Sequence, residues 1–507
     1  MKLSKLLFGV DLLDNYIPDT EIDRVTAKVD LIDEDTLFIL FDAIRYDTKK
    51  VIDSVFSKNP RVVITDLILD PPSSLTVIRV KDARRAYAQI CYNFCEIDER
   101  LLKFFAVTGT CGKTTTATML YNLFTEAKIK CGFIGTGKIL IGEKKASDLF
   151  YSMTTPDPEL LYPMIKKMQN EGCQNIVMEV SSHALSLRKV APIRFECSLF
   201  TNLSDEHMDF HKDKEEYFHT KLSLFSQSNR AIFNLDDEYG KRGFLALQNN
   251  IECYGVAIKS DADAVAGDIW YKGFKSTAYT YKENERAFKV KLSCVGEYNK
   301  SNSLLAIKCA LTEGVPEKVI REALALGKKI EGRFETISKK PQVIIDYAHT
   351  EAAMKSILSF IKSTRQDGQR IITVFGCGGE RDKEKRPKMA MISEIYSDFS
   401  IVTSDNSRKE RPADIISDIE AGFIDKAKYT VIENREDAIR FSVAIARESD
   451  IVVIIGKGHE RYNIDSEGYH NFDERSIILN AVKERNPKEN ANKNRHCVDA
   501  FAPGENT

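Results

Sequence analysis

The sequence predicts an α/β protein on three observations. Short apolar runs recur along the chain, amphipathic stretches with apolar spacing of three and four lie between them, and a glycine turn joins one apolar run to a helix start. Strands that are apolar throughout and alternate with helices belong to a mostly parallel sheet covered on both faces. At 507 residues the chain exceeds what one hydrophobic core serves, so two or three such domains are expected.

Taken in order, residues 1 to about 100 carry the runs "TLFILF" and "RVVITDLIL" and end in a helix from Ala83 to Phe94, a small α/β domain. From Phe104 to about Lys329 the strands "KFFAVTG", "KCGFIGT", "NIVMEVS", "CSLFTNL" and "AIFNLD" alternate with helices such as "PELLYPMIKKMQNEG". Within that series Lys259 to Leu292 is polar and reads as a hairpin-rich excursion before the helix "NKSNSLLAIKCALTEG". A third doubly wound series begins near Gln342 with "QVIIDYA", "RIITVFG", "FSIVTSD", "KYTVIEN" and "IVVIIGKG". The final residues, 487–507, are rich in Asn, Pro and charge without periodicity, and are expected to be a disordered tail.

Composition narrows the class. A hydrophobic content of 43% with 29% charged residues is ordinary for a globular chain, and a formal charge of −2 gives no reason to expect nucleic acid or an anionic membrane as partner. No apolar run is long enough to span a bilayer. The apolar patch in "MKLSKLLFGVDLLDNYIPD" is interrupted early by acids and lacks a small-residue cleavage site, so a cytoplasmic enzyme is expected. The eleven cysteines are scattered, often in apolar runs such as "RFECSLF", with no CxxC pair; reduced, mostly buried thiols are expected over disulfides or a zinc site.

The turn "AVTGTCGKTTTATML" carries the first chemistry. Gly109 and Gly112 let backbone amides face an anion, and the helix that follows offers its unpaired N–H groups and positive dipole end. Lys113 supplies a mobile charge for terminal phosphates, and the Thr114 hydroxyl is placed to ligate magnesium. The spacing Gly-x-x-Gly-Lys-Thr is shorter than the usual phosphate loop, and a plain glycine turn before a structural helix is the bland alternative. The backbone amide of Cys111, not its thiol, is expected to do the work.

Two further stretches follow apolar strands, whose carboxyl ends are where ligands sit in open α/β sheets. "NIVMEVSSHAL" supplies Glu179, Ser181, Ser182 and His183; Glu179 reads as a second magnesium ligand or as a buried, paired carboxylate. "LFTNLSDEHMDFHKDKEEYFHTKLSLF" packs Asn202, His207, Asp209, His211 and Lys221 together, each of which reads equally as a site residue or as a solvated turn or surface residue.

In this order, "TGTCGKTTT", "MEVSSHAL", "TNLSDEHMDFH", "YFHTKLSLF", "GEYNKSNSLLA", "DYAHT", "FGCGGERDKEKRP" and "GKGHE" resemble the motifs of the Mur ligases, most closely those members that add the third residue of the peptidoglycan stem peptide. The resemblance covers roughly residues 104 to 478. It implies three domains: a small N-terminal α/β domain for the UDP end of the substrate (1–100), a central P-loop-like parallel-sheet ATPase domain (101–332) and a C-terminal Rossmann-like domain for the incoming amino acid (333–486). It also implies a monomer that uses ATP and Mg²⁺ to phosphorylate the terminal carboxylate of UDP-MurNAc-L-Ala-D-Glu. An amine then displaces phosphate to form an amide.

Residue by residue, the resemblance implies that Gly109, Thr110, Cys111, Gly112, Lys113, Thr114 and Thr115 hold ATP, with Asn302 near the adenine and Arg333, Asp346 and His349 near the phosphates and ribose. Thr114, Glu179, His207 and Lys221, the last as a carbamate, are implied magnesium ligands, with Lys113, Glu179, His207 and Lys221 the catalytic set. Thr154, Thr155, Ser182 and Arg188 match positions that bind the UDP-MurNAc-dipeptide. Arg333, at the start of the last domain, is expected to complete the site as the domains close over it.

"TSDNSRKERP" bears on the amino acid added. Relatives that use meso-diaminopimelate read Asp-Asn-Pro-Arg there, the arginine pairing with the distal carboxylate. This chain has Asp405, Asn406 and Arg408 with Ser407 in place of proline; Arg381, Gly456 and Glu460 match further positions around the amino acid. A diamino acid, meso-2,6-diaminopimelate before L-lysine or L-ornithine, is the expected substrate; an Arg408 that merely caps a surface turn is the bland alternative. The first domain departs from the pattern. An Asp-Ser-Arg motif is replaced by Val25, Thr26 and Ala27, and the glycine-rich loop after it is absent, leaving Thr26 as the candidate hydroxyl donor to the UDP end. Glu331 and Glu351 also stand where proline is usual. A paralogue joining another acid and amine, and a binding protein that has lost catalysis, are the alternative functions.

Overall fold

The computed structural model describes residues 1–14, 17–42, 47–146, 153–204, 210–274, 276–327 and 330–485; the stretch read as a tail, 487–507, lies outside them. Three parallel-sheet units follow one another along the chain. The first has the sheet order β1 (Arg24–Thr26), β2 (Thr36–Leu40), β3 (Val62–Thr65), β4 (Val77–Arg79), all parallel, with helices α1 (Leu3–Leu6), α2 (Thr48–Lys58) and α3 (Ala83–Phe94). β2 and β3 are buried at every position, which is why both read as unbroken apolar runs. Asp82 starts α3 by accepting a hydrogen bond from Arg85 N at 2.9 Å.

The central unit is built on β5 (Lys103–Thr108), β6 (Cys131–Gly135), β7 (Lys138–Ile141), β8 (Lys144–Lys145), β9 (Asn175–Glu179), β10 (Phe195–Phe200), β11 (Ser228–Asn234), β12 (Glu252–Ala257), β13 (Ala264–Lys272), β14 (Ser276–Glu283) and β15 (Arg286–Leu292). Among the described residues they form one sheet in the order β15-β14-β13-β12-β11-β10-β5-β9-β6-β7-β8. The segment read as hairpin-rich supplies the antiparallel edge β13–β15. Helices α4 (Lys113–Glu126), α5 (Pro158–Asn170), α6 (Ser182–Ser186), α7 (Lys214–Leu222), α8 (Glu238–Leu247), α9 (Glu297–Thr312) and α10 (Glu317–Leu326) accompany it. α9 is buried along most of its length and packs on α4, so its sequence lacks a polar face.

The last unit has the order β16 (Glu335–Lys339), β17 (Gln342–Asp346), β21 (Ile451–Ile455), β18 (Ile371–Phe375), β19 (Phe399–Val402), β20 (Tyr429–Val431), parallel except for β16. Helices α11 (Glu351–Thr364), α12 (Lys385–Tyr396), α13 (Pro412–Glu420), α14 (Arg435–Ile445) and α15 (Glu474–Arg485) flank it, and the hairpin β22 (Tyr462–Asp465), β23 (Gly468–Asn471) projects after β21. Phe274, at the turn after β13, meets Phe334 and Phe360 at ring distances of 6.2 and 6.0 Å, joining the last two units by an aromatic cluster.

One buried ion pair ties the last unit together. Arg435 Nε donates to Glu474 Oε1 at 2.6 Å with both side chains no more than 2% exposed, and Arg435 Nη2 donates to Ile455 O at 2.9 Å at the end of β21. Removing one partner strands the other charge in the core. Arg435→Ala is therefore expected to destabilise the C-terminal unit by about 3–5 kcal/mol. Urea unfolding followed by circular dichroism checks this, and a loss below about 1 kcal/mol, the scale of an exposed pair, would refute it.

Candidate active site

The strand order creates the site. β5 lies between β9 and β10, and the chain passes over β5 in going from β9 to β10, so the loops at their carboxyl ends diverge and leave a crevice above β5. The glycine turn fills its floor. Gly109 adopts φ +140° and a Cβ there would lie 1.9 Å from Thr201 Oγ1; Gly112 adopts φ +88° and a Cβ would lie 2.4 Å from Asn302 Oδ1. Asn302 thus sits against the turn itself.

Asn202 straps the turn to the end of β10. Thr110 N donates to Asn202 O at 2.8 Å, Cys111 N donates to Asn202 Oδ1 at 3.0 Å, and Asn202 Nδ2 donates back to Cys111 O at 3.0 Å. The Cys111 amide is engaged in this strap. The amides that begin α4, at Lys113, Thr114 and Thr115, have no carbonyl four residues back within the helix and are the donors left for an anion. Cys111 Sγ lies 3.8 Å from Thr350 Oγ1 in the C-terminal unit.

Cations surround the same turn. Lys113 Nζ donates to Gly109 O and Thr110 O at 3.0 and 2.7 Å. Lys221 on α7 is only 1% exposed and donates from Nζ to Gly109 O at 2.9 Å, so the surface reading of this lysine fails. Arg333 Nη2 reaches Thr114 Oγ1 at 3.4 Å, its guanidinium lies 4.5 Å over the Tyr347 ring, and its Nε is buried without a hydrogen-bond partner. Arg333 thus contacts the helix that follows the phosphate turn. A buried donor without an acceptor, beside Lys113 and a helix N-terminus, fits a polyanion such as a triphosphate.

Glu179, fully buried at the end of β9, organises the other wall. Its Oε2 accepts from Thr114 Oγ1 at 2.8 Å and from Thr136 Oγ1 at 3.3 Å, its Oε1 from Thr136 N at 2.9 Å, and its carbonyl from Thr155 Oγ1 at 2.9 Å. Carboxylate and hydroxyl oxygens are the hard donors that Mg²⁺ takes. His207 and Asp209 lie outside the described residues. His183 faces Phe210 at a ring distance of 3.9 Å.

The residues expected to hold the acceptor lie beyond Glu179. Thr154 Oγ1 accepts from Thr136 Oγ1 at 3.2 Å, Thr155 Oγ1 also accepts from Ser181 N at 3.2 Å, and Ser182 Oγ is buried without a hydrogen-bond partner. Arg188, at φ +55°, pairs with Asp82 of the N-terminal unit at 3.4 Å. The Thr26 hydroxyl donates to Glu159 Oε2 of the central unit at 2.9 Å and accepts from Lys28 N at 3.0 Å.

Across the crevice, Asp346 is buried and accepts from Phe334 N at 2.6 Å and Ala348 N at 2.7 Å, fixing the linker that carries Arg333; burial raises its pKa. His349 Nδ1 lies 3.0 Å from Tyr347 O. A cavity of about 690 Å³ opens beside these groups between the last two units, lined by Thr115, Asn122, Asn299, Arg333, Phe334 and Gln369 among others.

The ends of β18, β19 and β21 bring together the remaining candidates. Arg408 Nη1 donates to Gly379 O at 2.8 Å and Asn406 O at 3.2 Å, and a Cβ on Gly378 would meet both Arg408 and Arg381. Asn406 Nδ2 donates to Glu460 Oε2 at 2.9 Å, while Lys457 Nζ donates to Asn406 Oδ1 at 2.8 Å and lies 3.5 Å from Asp405. Gly456 packs against the Asp405 carboxylate. Burial alone would raise Asp405, but the Lys457 and Arg435 cations outweigh it and hold the carboxyl at about 2. Burial, then repulsion from Asp405, raises Glu460. Sequence reasoning missed Thr136, Lys189 and Lys457; Lys457 stands in the quoted fragment "GKGHE" and Thr136 directly follows a buried strand, signals that could have found those two.

Comparison with known proteins agrees with this geometry. Residues 107–310 match the Mur ligase middle domain and residues 332–458 the Mur ligase, glutamate ligase domain. A UDP-N-acetylmuramoyl-L-alanyl-D-glutamate--2,6-diaminopimelate ligase of Clostridioides difficile (strain 630) is 37% identical over 490 residues, covering 94% of this chain and 98% of that protein. The chain belongs to the Mur ligase family. A second relative so named, from Clostridium botulinum (strain ATCC 19397 / Type A), is 36% identical over 92% of this chain and 96% of its own length. A solved structure of a UDP-N-acetylmuramoyl-L-alanyl-D-glutamate--2,6-diaminopimelate ligase superposes with a TM-score of 0.67 at 25% identity, covering 96% of this chain and 99% of that one. As a Mur ligase the chain is an ATP-dependent enzyme that forms carbon–nitrogen bonds.

Two predictions follow from the packing. A Cβ on Gly135 would lie 2.3 Å from Glu179 Oε1. Gly135→Ala should displace that carboxylate and lower ATP turnover at least about tenfold, the loss of one charge-assisted contact, while circular dichroism stays native. Unchanged turnover, or a change that more Mg²⁺ does not move, would count against Glu179 as a metal ligand. Burial, then the Arg333 cation, holds His459 down at about 4 against 6.5 in the unfolded chain. The unfolded state then binds the proton first, so this stability is complete above pH 6.5 and drains away as pH falls towards 4. The melting temperature of the C-terminal unit should drop across that window, and His459→Gln should flatten the drop; an equal slope in both would refute the assignment.

Proposed function

We propose that this chain joins meso-2,6-diaminopimelate to the D-glutamate of UDP-MurNAc-L-Ala-D-Glu, using ATP, in cytoplasmic peptidoglycan precursor synthesis. The observation that carries the reading is the convergence of Lys113, Lys221, Arg333 and Glu179 on the turn after β5 and the first turn of α4. The names of the relatives supply the substrates. The units 1–100, 101–332 and 333–486 are proposed as the UDP-substrate, ATP and amino-acid domains of a monomer. Among the described residues, no helix is long and apolar enough to cross a membrane.

In this reading the carboxylate of the acceptor takes the γ-phosphoryl group of ATP, which converts a poor electrophile into one with phosphate as leaving group. The amine then forms the C–N bond as the C–O bond to phosphate breaks, and the ammonium proton is lost. Lys113, Arg333 and the first amides of α4 hold the transferring phosphate in line and balance its charge. Thr114, Glu179 and His207, with Lys221 as a carbamate, would hold Mg²⁺, which neutralises phosphate charge when bound. Thr154, Thr155, Ser182 and Arg188 receive the acceptor, Asn302, Asp346 and His349 border the nucleotide, and the aromatic cluster of Phe274, Phe334 and Phe360 limits water at the domain joint.

Arg408 explains the amino acid. Its Nη1 laces two loops together, which leaves the rest of the fork for a carboxylate at the far end of the amino acid, with Asp405, Asn406, Gly456 and Glu460 around the amine. An ammonium at that far end, as in lysine or ornithine, would meet like charge. Phosphate release from ATP and UDP-MurNAc-L-Ala-D-Glu is expected with meso-diaminopimelate and not with L-lysine or L-ornithine. Arg408→Ala should raise KM for diaminopimelate about 10- to 100-fold, as for a lost charged hydrogen bond, with KM for ATP within twofold. Stimulation by lysine, or equal loss for both substrates, would overturn this specificity; no stimulation by any of the three would point to a different acid and amine.

A further inference from the structure

Glu159 is the place where the N-terminal unit grips the central one. It stands in the first turn of α5, where the helix dipole favours a carboxylate, and its side chain is 14% exposed. Three donors of the N-terminal unit converge on it: Thr26 Oγ1 at 2.9 Å from Oε2, Tyr87 OH at 3.2 Å from Oε2, and Lys28 Nζ in an ion pair with Oε1. An ionised carboxylate is acceptor-only, so it alone among side chains of this size satisfies three donors without offering one back. Thr26 is 1% exposed and Tyr87 7%, so both hydroxyls depend on this acceptor.

The loop just before Glu159 is the one that bears Thr154 and Thr155. The central unit pins it from the other side: Thr155 hydrogen-bonds the Glu179 carbonyl, and Lys189, 6% exposed, reaches Thr155 O at 3.3 Å and Asp157 Oδ1 at 2.7 Å. Glu159 thus couples the position of the N-terminal unit to the acceptor loop, which Thr155 and Lys189 anchor on the central unit.

We propose that Glu159 is a positioning residue for the UDP-linked acceptor, with Thr26, Lys28 and Tyr87 as its latch. This rests on the function proposed above. The acceptor is long, with its nucleotide end on the N-terminal unit and its reacting carboxylate at the phosphate turn. The separation of those two subsites is set by how the two units dock, and the latch fixes it. ATP and the amino acid bind between the other two units and do not sense it.

The test measures KM for all three substrates in wild type, Glu159→Gln, Thr26→Val and Thr26→Ser. Wild-type turnover of the UDP-linked dipeptide comes first, and its absence would remove the function reading and this proposal with it. Given turnover, Glu159→Gln places an amide NH₂ against three donors. It should raise KM for the UDP-linked dipeptide roughly tenfold, with kcat and the KM for ATP and the amino acid within about twofold. Thr26→Val should give a smaller rise in the same KM, and Thr26→Ser, which restores the hydroxyl, should return it to wild type. An unchanged KM for the dipeptide in Glu159→Gln, or equal rises for all three substrates, overturns the proposal. If Glu159→Gln does not fold, as judged by circular dichroism, the Thr26 pair decides the question on the same criteria.

Discussion

A buried carboxylate must be satisfied where it stands, and the centre of this molecule is arranged around that requirement at Glu179. With no exposure to water, it draws donors from the first turn of α4 and from the β6–β7 turn, while its own carbonyl holds Thr155. Three loops from different parts of the chain are thereby held at fixed distances from one anion. The first turn of α4, the β6–β7 turn and the acceptor loop each have an anchor on this one residue. The same oxygens are those proposed to hold a magnesium ion, and the hydroxyls among them can rotate away from the carboxylate.

A second charge cluster plays the corresponding part in the C-terminal unit. Glu474, Arg435, Asp405, Lys457 and Glu460 alternate in sign through the ends of β19 and β21, and Asn406 bridges Lys457 to Glu460. Burial lowers the Lys457 pKa, yet its cation and that of Arg435 hold Asp405 at about 2. The cluster orders the 405–408 loop from behind and so gives Arg408 a rigid support. The hairpin β22–β23 adds to it, since Ile464 O accepts from Arg408 N at 3.0 Å.

The positions that departed from the family pattern have local reasons. Glu351 is the first residue of α11, behind the N-cap Thr350, where a carboxylate suits the helix dipole as proline suits the backbone. Glu331 pairs with Arg461 at 2.7 Å and stiffens the linker by charge. Ser407 is 4% exposed, its carbonyl accepts from Glu410 N at 3.1 Å and lies tight against Gly379, so packing holds the loop that a proline would otherwise restrain. Thr26 is the departure with a consequence, because its hydroxyl serves the joint between two units.

The sequence by itself determined the α/β class, the buried strands and the helix after the glycine turn, because periodicity and turn chemistry act over a few residues and leave their mark in the local pattern. It also marked Lys113, Glu179 and Arg408 as residues that chemistry would use. What each polar group touches was decided by the tertiary structure alone. Cys111 meets an acceptor 91 residues away, Lys221 one 112 away and Thr26 one 133 away. Neither spacing nor composition encodes such pairs. They exist only once the sheet order brings strand ends together and burial obliges every donor there to find an acceptor. That is why the engaged amide of Cys111, the depth of Lys221 and the contacts of Glu159 belong to the fold.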